Sequence, residues 1–266
     1  MNLNSEELKP VTKEDIKKGL RELGLKRGDI VGVHSSLKSF GYVEGGADAV
    51  IDALLEVVGE EGTITMPTHS SNLEKVELSP EEKAAGISWL YKILPYDPKE
   101  TPCTTGTIPE TFRKRPGVIR SRHPDQSIAA IGPKAQEITS AGDGRSLAGW
   151  KVLLDLDGHV LLMGVGLEVC TAMHLAESMV QFPKHILEKI TPPKWFVEKY
   201  PEHEWEWDVG PYPAFAKLEP ICKERGIIKT ITIGKANVKL LRLRELIHLY
   251  AQELEKNPDM FYSGAT

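Results

Sequence analysis

Residues 29–68 of the chain read "DIVGVHSSLKSFGYVEGGADAVIDALLEVVGEEGTITMPT", and this stretch decides the fold class. The runs 30–33 and 62–67 are almost wholly apolar or β-branched, as in strands of a sheet that is covered on both faces. Between them, apolar side chains recur at helical spacing, namely Val50, Leu54, Leu55 and Val58. A strand–helix–strand unit of this length favours a parallel crossover.

The rest of the chain alternates predicted strands and helices, with two interruptions. Further predicted elements are strands at 125–132, 159–166 and 227–234 and helices at 11–25, 171–180 and 238–258. The segment of about 70–104 is predicted to be irregular, with short helical pieces and turns, and the segment of about 185–215 to carry two strand-like runs. We therefore predict a single α/β domain over residues 1–266, with a central mixed, largely parallel sheet flanked by helices and with irregular insertions at these two places.

The composition excludes several classes of protein. The 266 residues are 41% hydrophobic and 27% charged, which is typical of a globular domain. A net charge of -5 argues against nucleic-acid binding, which needs a basic face. No apolar run approaches the roughly 18 residues of a membrane span, and the polar N-terminal stretch lacks the apolar core of a signal peptide. We expect a cytoplasmic protein that binds neither a membrane nor nucleic acid.

The cysteines and histidines do not have the spacing of a metal site. Cys103, Cys170 and Cys222 lie far apart and form no CxxC pair, which is typical of reduced cytosolic thiols. His174 has no second histidine four residues away, so no metal is expected. A serine-hydrolase interpretation is weak because the sequence has no GxSxG elbow.

Three polar loops, 34–39, 120–127 and 168–177, each follow a predicted strand. Ligands of open α/β sheets collect at the carboxyl ends of the strands, so the three loops are candidates for one site. The serines of the first loop and the glycines that follow it suit either a phosphate site or a capped turn. Arg120 and Arg122 of the second loop suit either an anion clamp or a rigid turn with a solvated basic rim.

Thr171, His174 and Glu177 recur every three residues in the third loop, at the start of a predicted helix. That spacing places the three side chains in one row. A histidine beside a carboxylate is the usual general base, and a threonine hydroxyl can donate a hydrogen bond to a developing oxyanion. The alternative is a histidine packed under the sheet, with Glu177 on a wet face.

Four segments together resemble the aminoglycoside 3-N-acetyltransferase family, the antibiotic N-acetyltransferases that are unrelated to the GNAT fold. They read "VHSSLKSFGYVEGGADAVIDALLEVVGEEGTITMPTHS", "TPCTTGTIPETFRKRPGVIRSRHPDQSIAAIG", "LDGHVLLMGVGLEVCTAMHLAE" and "IGKANVKLLRLRELI". The resemblance extends over about residues 12–250, and its most specific parts are the HSSL run and the T-x-x-H-L-x-E run. It implies an antibiotic N-acetyltransferase-like α/β fold.

The resemblance implies an acetyl-CoA-dependent N-acetyltransferase that works without a metal. The acceptor would be an amine, foremost the 3-amino group of an aminoglycoside, which is an antibiotic-resistance activity. Transfer would be direct, with His174 as general base, Glu177 orienting it and Thr171 assisting at the oxyanion. Three alternatives stay open: a CoA-binding relative acting on another amine, a CoA-binding protein without catalysis, and a thioester hydrolase.

The resemblance also assigns binding residues. Acetyl-CoA would be held by residues of the strand-end loops: His34, Ser35, Ser36, Leu37, Ser39, Thr105, Gly106, His123, Pro124 and Ser127. The acceptor would meet an acidic segment through Glu204, Glu206 and Asp208. The family usually carries an asparagine where this chain has Cys170, and a denser acidic segment. Aromatic residues of 195–212 would form either a lid over the acceptor or the contact of a homodimer.

Overall fold

The structure is a computed structural model that describes residues 10–70, 72–144 and 147–262, so both ends of the predicted domain 1–266 lie outside the described residues. The strands of the described part are β1 (Ile30–Ser35), β2 (Thr63–Pro67), β3 (Leu73–Lys75), β4 (Ile87–Ile93), β5 (Ile119–Arg120), β6 (Ile128–Ile131), β7 (His159–Met163), β8 (Trp205–Val209), β9 (Ile228–Ile233) and β10 (Ala236–Arg242). Its α-helices are α1 (Lys13–Leu23), α2 (Gly46–Val58), α3 (Pro80–Ala84), α4 (Thr107–Phe112), α5 (Ala135–Ala141), α6 (Ala148–Asp155), α7 (Lys184–Ile190), α8 (Lys194–Lys199), α9 (Glu219–Glu224), α10 (Leu243–Lys256) and α11 (Pro258–Tyr262). Short 3-10 helices cover Leu37–Phe40, Leu167–Val169, Thr171–Met179 and Phe215–Leu218.

The main sheet runs in the order β5-β6-β2-β1-β7-β10-β9. β1 pairs in parallel with β2 and with β7, so the predicted parallel crossover from β1 through α2 to β2 is confirmed. The remaining neighbours in this sheet pair antiparallel, so a mixed sheet is confirmed but a largely parallel one is wrong. At one edge of the sheet the reason is the length of the connection. Residues 234–235 alone join β9 to β10, and so short a turn can join only antiparallel strands.

The predicted helix over 238–258 begins later than expected. Residues Ala236–Arg242 form β10, and α10 begins at Leu243. The apolar residues of "VKLLRL" fit the period of a strand as well as that of a helix, so periodicity could not separate the two. Pairing with β7 and β9 decides the outcome, since it satisfies the backbone hydrogen bonds of this buried segment.

Helices cover both faces of the main sheet, and each face has its own apolar core. On β7, Leu161 and Met163 belong to the core under α1 and α2, whereas Val160 and Leu162 belong to the core under α6 and α10. Burial on both faces accounts for the unbroken apolar run of this strand. Among the described helices, none is both long enough and apolar enough to cross a membrane.

Trp150 of α6 packs against the carboxyl end of β1. Its side chain is 1% exposed and stacks on His34, with ring centroids 5.2 Å apart and planes 15° apart. A Cβ atom at Gly32, two residues earlier on the same face of the strand, would lie 2.6 Å from the indole ring. Only glycine leaves room for the indole, which then holds the strand end where the first polar loop begins.

The two predicted insertions pair with each other. β3 and β4 come from the first and β8 from the second, and they form a three-stranded antiparallel sheet in the order β3-β4-β8. Within 70–104 the predicted short helical piece is present as α3, but β3 and β4 were not predicted. Two strand-like runs were predicted within 185–215, where the structure has one strand, β8, after the helices α7 and α8. Such half-exposed strands give a weak apolar pattern. The small sheet has a core of its own, made of Ile87, Leu90, Phe196 and Val209.

Candidate functional site

A cavity of about 920 Å³ lies between the carboxyl edge of the main sheet and the small sheet. One wall is built from residues that end or follow β1, β2 and β7, and the other from β4 and β8. This is the place where open α/β sheets bind their ligands. Each of the three polar loops predicted to converge contributes residues to the lining.

The structure divides the predicted site residues into two groups. Those that line the cavity are His34, Ser35, Thr105, Thr171, His174, Glu177, Glu206 and Asp208. Those that lie behind or beside the lining are Ser36, Leu37, Ser39, Gly106, His123, Pro124, Ser127 and Glu204. The cavity lining therefore includes the predicted histidine–carboxylate pair and two of the three acidic residues predicted to bind the acceptor.

Thr171, His174 and Glu177 lie on a 3-10 helix, Thr171–Met179, rather than on an α-helix. A 3-10 helix has roughly three residues per turn, so side chains three apart eclipse one another, and runs this long are uncommon. The Nδ1 atom of His174 lies 3.0 Å from Oε1 of Glu177. This contact fixes the imidazole orientation and leaves Nε2 without a hydrogen bond to any described residue.

Aromatic rings enclose the dyad of His174 and Glu177. The imidazole meets Phe215 edge to face, with centroids 4.8 Å apart, and Tyr212 at 6.1 Å. The buried hydroxyl of Tyr262 lies beside Glu177, and burial together with that carboxylate raises the pKa of this phenol. The side chains of His174 and Glu177 keep 24% and 25% of their surface exposed. The dyad therefore packs against aromatic rings and remains accessible from the cavity.

His34 and Ser35, at the end of β1, bring unsatisfied polar atoms to the cavity wall. Nε2 of His34 and Oγ of Ser35 are buried and have no hydrogen-bond partner among the described residues. Burial, reinforced by the nearby His69, lowers the pKa of His34 to about 3, so its imidazole is neutral. Buried polar atoms normally have partners, so these two mark a place where a ligand can supply them.

The remainder of the first polar loop supports this wall without lining the cavity. Oγ of Ser39 donates to the carbonyl oxygen of Gly164, just after β7, at 2.8 Å and lies 2.9 Å from Oγ of Ser36. Leu37 packs on the apolar core under α2. These contacts join the loop after β1 to the end of β7.

The second polar loop is a turn that presents Asp125 and Gln126 to the cavity. The backbone N–H groups of both residues donate to Nδ1 of His123, at 3.3 Å and 3.0 Å. Oγ of Ser127 donates to the carbonyl of Thr68 at 2.6 Å, and Ser127 is fully buried. His123 and Ser127 thus frame the turn, and no sequence pattern indicated that Asp125 and Gln126 between them face the cavity.

Arg120 fits neither of the alternatives drawn from the sequence, because it is 8% exposed and its guanidinium faces backbone and hydroxyl oxygens. Its Nη2 group donates to the carbonyl of Thr68 at 2.6 Å, and its Nε donates to Oγ of Ser127 at 3.0 Å. Its Nη1 group donates to the carbonyls of Pro98 and Thr101. The side chain therefore ties three loops together behind the cavity.

The acidic wall consists of Glu206 and Asp208 from β8, joined by Asp125 from the turn. Burial raises the pKa of all three carboxyl groups, and the charge of Asp125 adds to the effect on Glu206. Glu204 stands apart, since its side chain is 64% exposed and pairs with His203 at 3.3 Å. Asp208 is close enough to the dyad for its titration to respond to His174 and Glu177.

Several lining residues escaped the sequence analysis. They are His69, Trp89, Tyr91, Asp125, Gln126 and Phe215, whereas the lining residues Trp207 and Tyr212 belong to the aromatic segment 195–212 that was predicted as a lid or a dimer contact. Trp89 lies opposite Asp208 and Tyr91 opposite Glu206 in the pairing of β4 with β8, so each acid has an aromatic neighbour across the strands. The alternation of Trp89, Tyr91 and their polar neighbours was the available signal, but it lay in a segment predicted to be irregular.

Cys170 borders the cavity but its side chain belongs to the core beneath the 3-10 helix. It is fully buried, and that burial raises the pKa of its thiol to about 12. The asparagine that is usual here in the resembled family would need hydrogen-bond partners at this position. Nearby Glu168 accepts a hydrogen bond from the Gly166 N–H at 2.9 Å.

We expect the Cys170 thiol to resist modification in the folded protein, because the reactive thiolate is scarce when burial raises the pKa. In a titration with a thiol-reactive dye at about pH 8, partly exposed Cys103 should react first. Cys170 should react only after denaturant is added. Peptide mass spectrometry identifies the modified residue, and fast modification of Cys170 in the folded chain would contradict its buried position.

Similar sequences point to one family. The sequence model described as "Aminoglycoside 3-N-acetyltransferase" matches residues 33–255. The chain is 37% identical over 179 residues to aminoglycoside N(3)-acetyltransferase IX of Micromonospora chalcea, across 64% of this chain and 63% of the relative, which is less than two thirds of that relative's length. It is 34% identical over 251 residues to the SPbeta prophage-derived aminoglycoside N(3')-acetyltransferase-like protein YokD of Bacillus subtilis (strain 168), across 90% of each chain.

Solved structures are similar over nearly the whole chain. The crystal structure of YokD from Bacillus subtilis has a TM-score of 0.74 at 30% identity, covering 94% of this chain and 95% of that one. A histidine-to-alanine mutant of aminoglycoside acetyltransferase AAC(3)-IVa in complex with apramycin has a TM-score of 0.74 at 28% identity, covering 94% of each chain. The same mutant was also crystallised in complex with a gentamicin.

Proposed function

The chain belongs to the aminoglycoside 3-N-acetyltransferase family, and from this premise we propose that it transfers the acetyl group of acetyl-CoA to an amine, foremost the 3-amino group of an aminoglycoside. The observation that carries the proposal is the His174–Glu177 dyad, open to a cavity with an acidic wall. Acetylation of an aminoglycoside would make this an antibiotic-resistance activity.

The polar end of the cavity suits acetyl-CoA. Nε2 of His34 and Oγ of Ser35 are buried atoms that need partners, and the amide and carbonyl groups of a pantetheine arm can supply them. Thr105 lines the same cavity, and its hydroxyl donates to the carbonyl of Pro67 at 2.6 Å. We assign His34, Ser35 and Thr105 direct contact and give Ser36, Leu37, Ser39, Gly106, His123, Pro124 and Ser127 the role of shaping this wall.

The chemical step needs a base, because a protonated amine cannot attack a thioester carbonyl. Nε2 of His174 faces the cavity without a protein partner among the described residues and takes the proton of the acceptor ammonium. Glu177 holds Nδ1 and stabilises the imidazolium that forms. The amine nitrogen then bonds to the acetyl carbon and the carbon–sulfur bond breaks. The remaining excess proton of the nitrogen passes to the departing CoA sulfur, so that the neutral amide and the free CoA thiol are formed. Thr171 lies on the same row and donates to the oxyanion.

The acceptor binds along the small sheet. Asp208 and Glu206 offer carboxylates, and Trp89 and Tyr91 lie opposite them, an environment suited to ammonium groups on a ring system. Glu204 points away into solvent, so we assign it at most a long-range electrostatic role. AAC(3)-IVa binds apramycin and a gentamicin in its crystal structures, which makes these two compounds the natural first acceptors to test.

A thiol-release assay tests the proposed function. Purified protein is mixed with acetyl-CoA, with and without apramycin or gentamicin, and free CoA is followed with a thiol-reactive dye. We expect release only when an amine is present, with one acetyl group added to the amine by mass spectrometry and assigned to the 3-amino position by NMR. Release without an amine would favour a hydrolase, and acetyl-CoA binding without turnover with any amine in a broad screen would favour a non-catalytic protein.

The remaining proposals follow from the sequence and the family. We propose that residues 1–266 act as one acetyltransferase domain, that the mechanism needs no metal and that the protein works in the cytoplasm. Within the described residues, no group of three or more His, Cys, Asp or Glu side chains is arranged to hold a metal ion. A homodimer stays a prediction that size-exclusion chromatography with light scattering can check.

A further inference from the structure

Asp125 and Glu206 approach each other across the cavity, from two different sheets. Asp125 belongs to the turn before β6 of the main sheet, and Glu206 is the second residue of β8 in the small sheet. Their carboxyl groups are within hydrogen-bonding reach of each other. Because an ionised carboxylate can only accept hydrogen bonds, a bond between two carboxyl groups requires one proton.

No described cation neutralises the pair. No lysine or arginine in the described ranges forms an ion pair with either carboxyl group, and the side-chain amide that reaches them is Nε2 of Gln126, 2.9 Å from Oε1 of Glu206. Asp125 is 8% exposed. Two carboxylates that are buried side by side without a counter-ion cannot both stay ionised. The pair is therefore poised to accept a positive charge from outside the protein.

Among the described groups around the pair, the one that carries a positive charge near pH 7, Arg120, has its guanidinium engaged behind the cavity. The titratable or charged groups around it are Glu202, Asp208, Tyr91, Tyr212, His69, His123 and Arg120. Burial lowers the pKa of His69 to about 4 and lowers the pKa of His123, so both imidazoles are neutral near pH 7. The guanidinium of Arg120 is turned toward Thr68 and the loops behind the cavity.

The pair and the dyad belong to the same binding surface. Tyr212 lines the same cavity, with its ring centroid 6.1 Å from that of His174. Burial raises the pKa of its phenol to about 12, and the carboxyl groups of Asp208, Glu206, Asp125 and Glu177 add to the effect. Asp208, whose pKa responds to the charge of His174, is two residues from Glu206 on β8. A ligand that reaches both the dyad and the pair through ammonium groups must carry two of them.

We propose that Asp125 and Glu206 share one proton while the cavity is free of acceptor, and that a second ammonium group of the acceptor, distinct from the reacting amine, displaces this proton into solvent. The inference rests on the proposed function for the identity of the ligand. The pair would then contribute to acceptor specificity. A polyamine of aminoglycoside type forms an ion pair with Asp125 and Glu206, whereas a monoamine bound at His174 leaves the shared proton between the two carboxyl groups. Tyr91, opposite Glu206, offers the second ammonium an aromatic face.

The shared proton has a signature that needs no acceptor. Burial raises the pKa of both carboxyl groups in the folded protein, so the folded chain holds the proton more tightly than the unfolded chain. The stabilising contribution is complete below the ordinary glutamate value of 4.5 and is lost as pH rises through the raised pKa of the pair. The change Glu206→Gln removes this pH dependence. The difference in Tm, variant minus wild type, should therefore increase as pH rises from about 5 to about 8.

Two measurements with matched variants test the proposal. The first records Tm against pH for the wild-type chain, for Glu206→Gln and Asp125→Asn, and for the control Glu198→Gln, whose exposed carboxyl lies outside the cavity. The second measures apramycin binding by calorimetry at about pH 6.5 in two buffers of different ionisation enthalpy, which counts the protons released. We expect the wild-type chain and the control to release more protons than either cavity variant and to bind apramycin at least about tenfold more tightly.

The outcomes separate this inference from the proposed function. Parallel Tm curves for the wild-type chain and Glu206→Gln, or equal proton release in both, would overturn the shared proton. If apramycin and gentamicin fail to bind while the Tm curves differ as expected, the proposed acceptor class fails and the shared proton stands. Agreement between the two cavity variants guards against a folding defect in either one.

Discussion

His174→Ala should lower kcat/KM for acetyl transfer to an aminoglycoside by roughly 10²- to 10⁴-fold, since it removes the proposed base from the cavity. The loss should fall on kcat, because the acidic wall that binds the acceptor stays intact. Glu177→Gln should cause a smaller loss, as it leaves the imidazole in place but weakens the bond of Glu177 to Nδ1. Steady-state kinetics with the thiol-release assay measure both effects.

The chain provides a matched control for this experiment. His185 and Asp259 form a second histidine–carboxylate contact of 3.0 Å, but on the surface, with the two side chains 52% and 56% exposed. His185→Ala should leave kcat/KM within about twofold of the wild-type value, since exposed pairs contribute little. Near wild-type turnover of His174→Ala, with unchanged Tm, would exclude His174 as the base.

Arg120→Met should destabilise the folded chain by about 3 kcal/mol. The change leaves the buried carbonyl of Thr101 without its donor, and such a group costs about 1–3 kcal/mol. It also removes one of the two donors of the Thr68 carbonyl, which keeps the hydroxyl of Ser127, and the hydrogen bond from Nε to that hydroxyl. Urea unfolding followed by circular dichroism gives the free energy of unfolding. Binding of the acceptor should also weaken, because the turn that carries Asp125 is held by the same loops.

Arg122, two residues further on, is the control for Arg120. Its side chain is exposed and its guanidinium has no hydrogen bond to any described residue. Arg122→Met should therefore change the free energy of unfolding by no more than about 0.5 kcal/mol. Equal losses from the two substitutions would show that the buried network around Arg120 does not stabilise the loops.

The features that depend on local periodicity could be predicted from the spacing of residues in the sequence. The crossover from β1 to β2 and the row of His174 and Glu177 follow from the periods of strand and helix. The convergence of the three polar loops follows from the general rule for open α/β sheets. The role proposed for His174 nevertheless depends on the resemblance, because a lone histidine is more often structural than catalytic.

Features that depend on pairing between distant segments could not be predicted. Nothing near Tyr91 in the sequence indicates that Glu206 lies opposite it, since β5, β6 and β7 of the main sheet come between β4 and β8 in the chain. Arg120 looked like a surface group because its oxygen partners are backbone atoms of other loops. Asp125 was overlooked for the same reason, as its neighbour Glu206 comes from a different sheet.

The separate core of the small sheet has a consequence for how this protein can change over generations. The cavity-lining side chains Trp89 and Tyr91 lie on a sheet with its own apolar core, whereas the dyad and His34 lie at the edge of the main sheet. Substitutions at sites without shared partners act nearly independently. We therefore expect that mutation and selection can change the proposed acceptor by altering Trp89 and Tyr91 of β4, with little effect on the residues proposed for the chemical step.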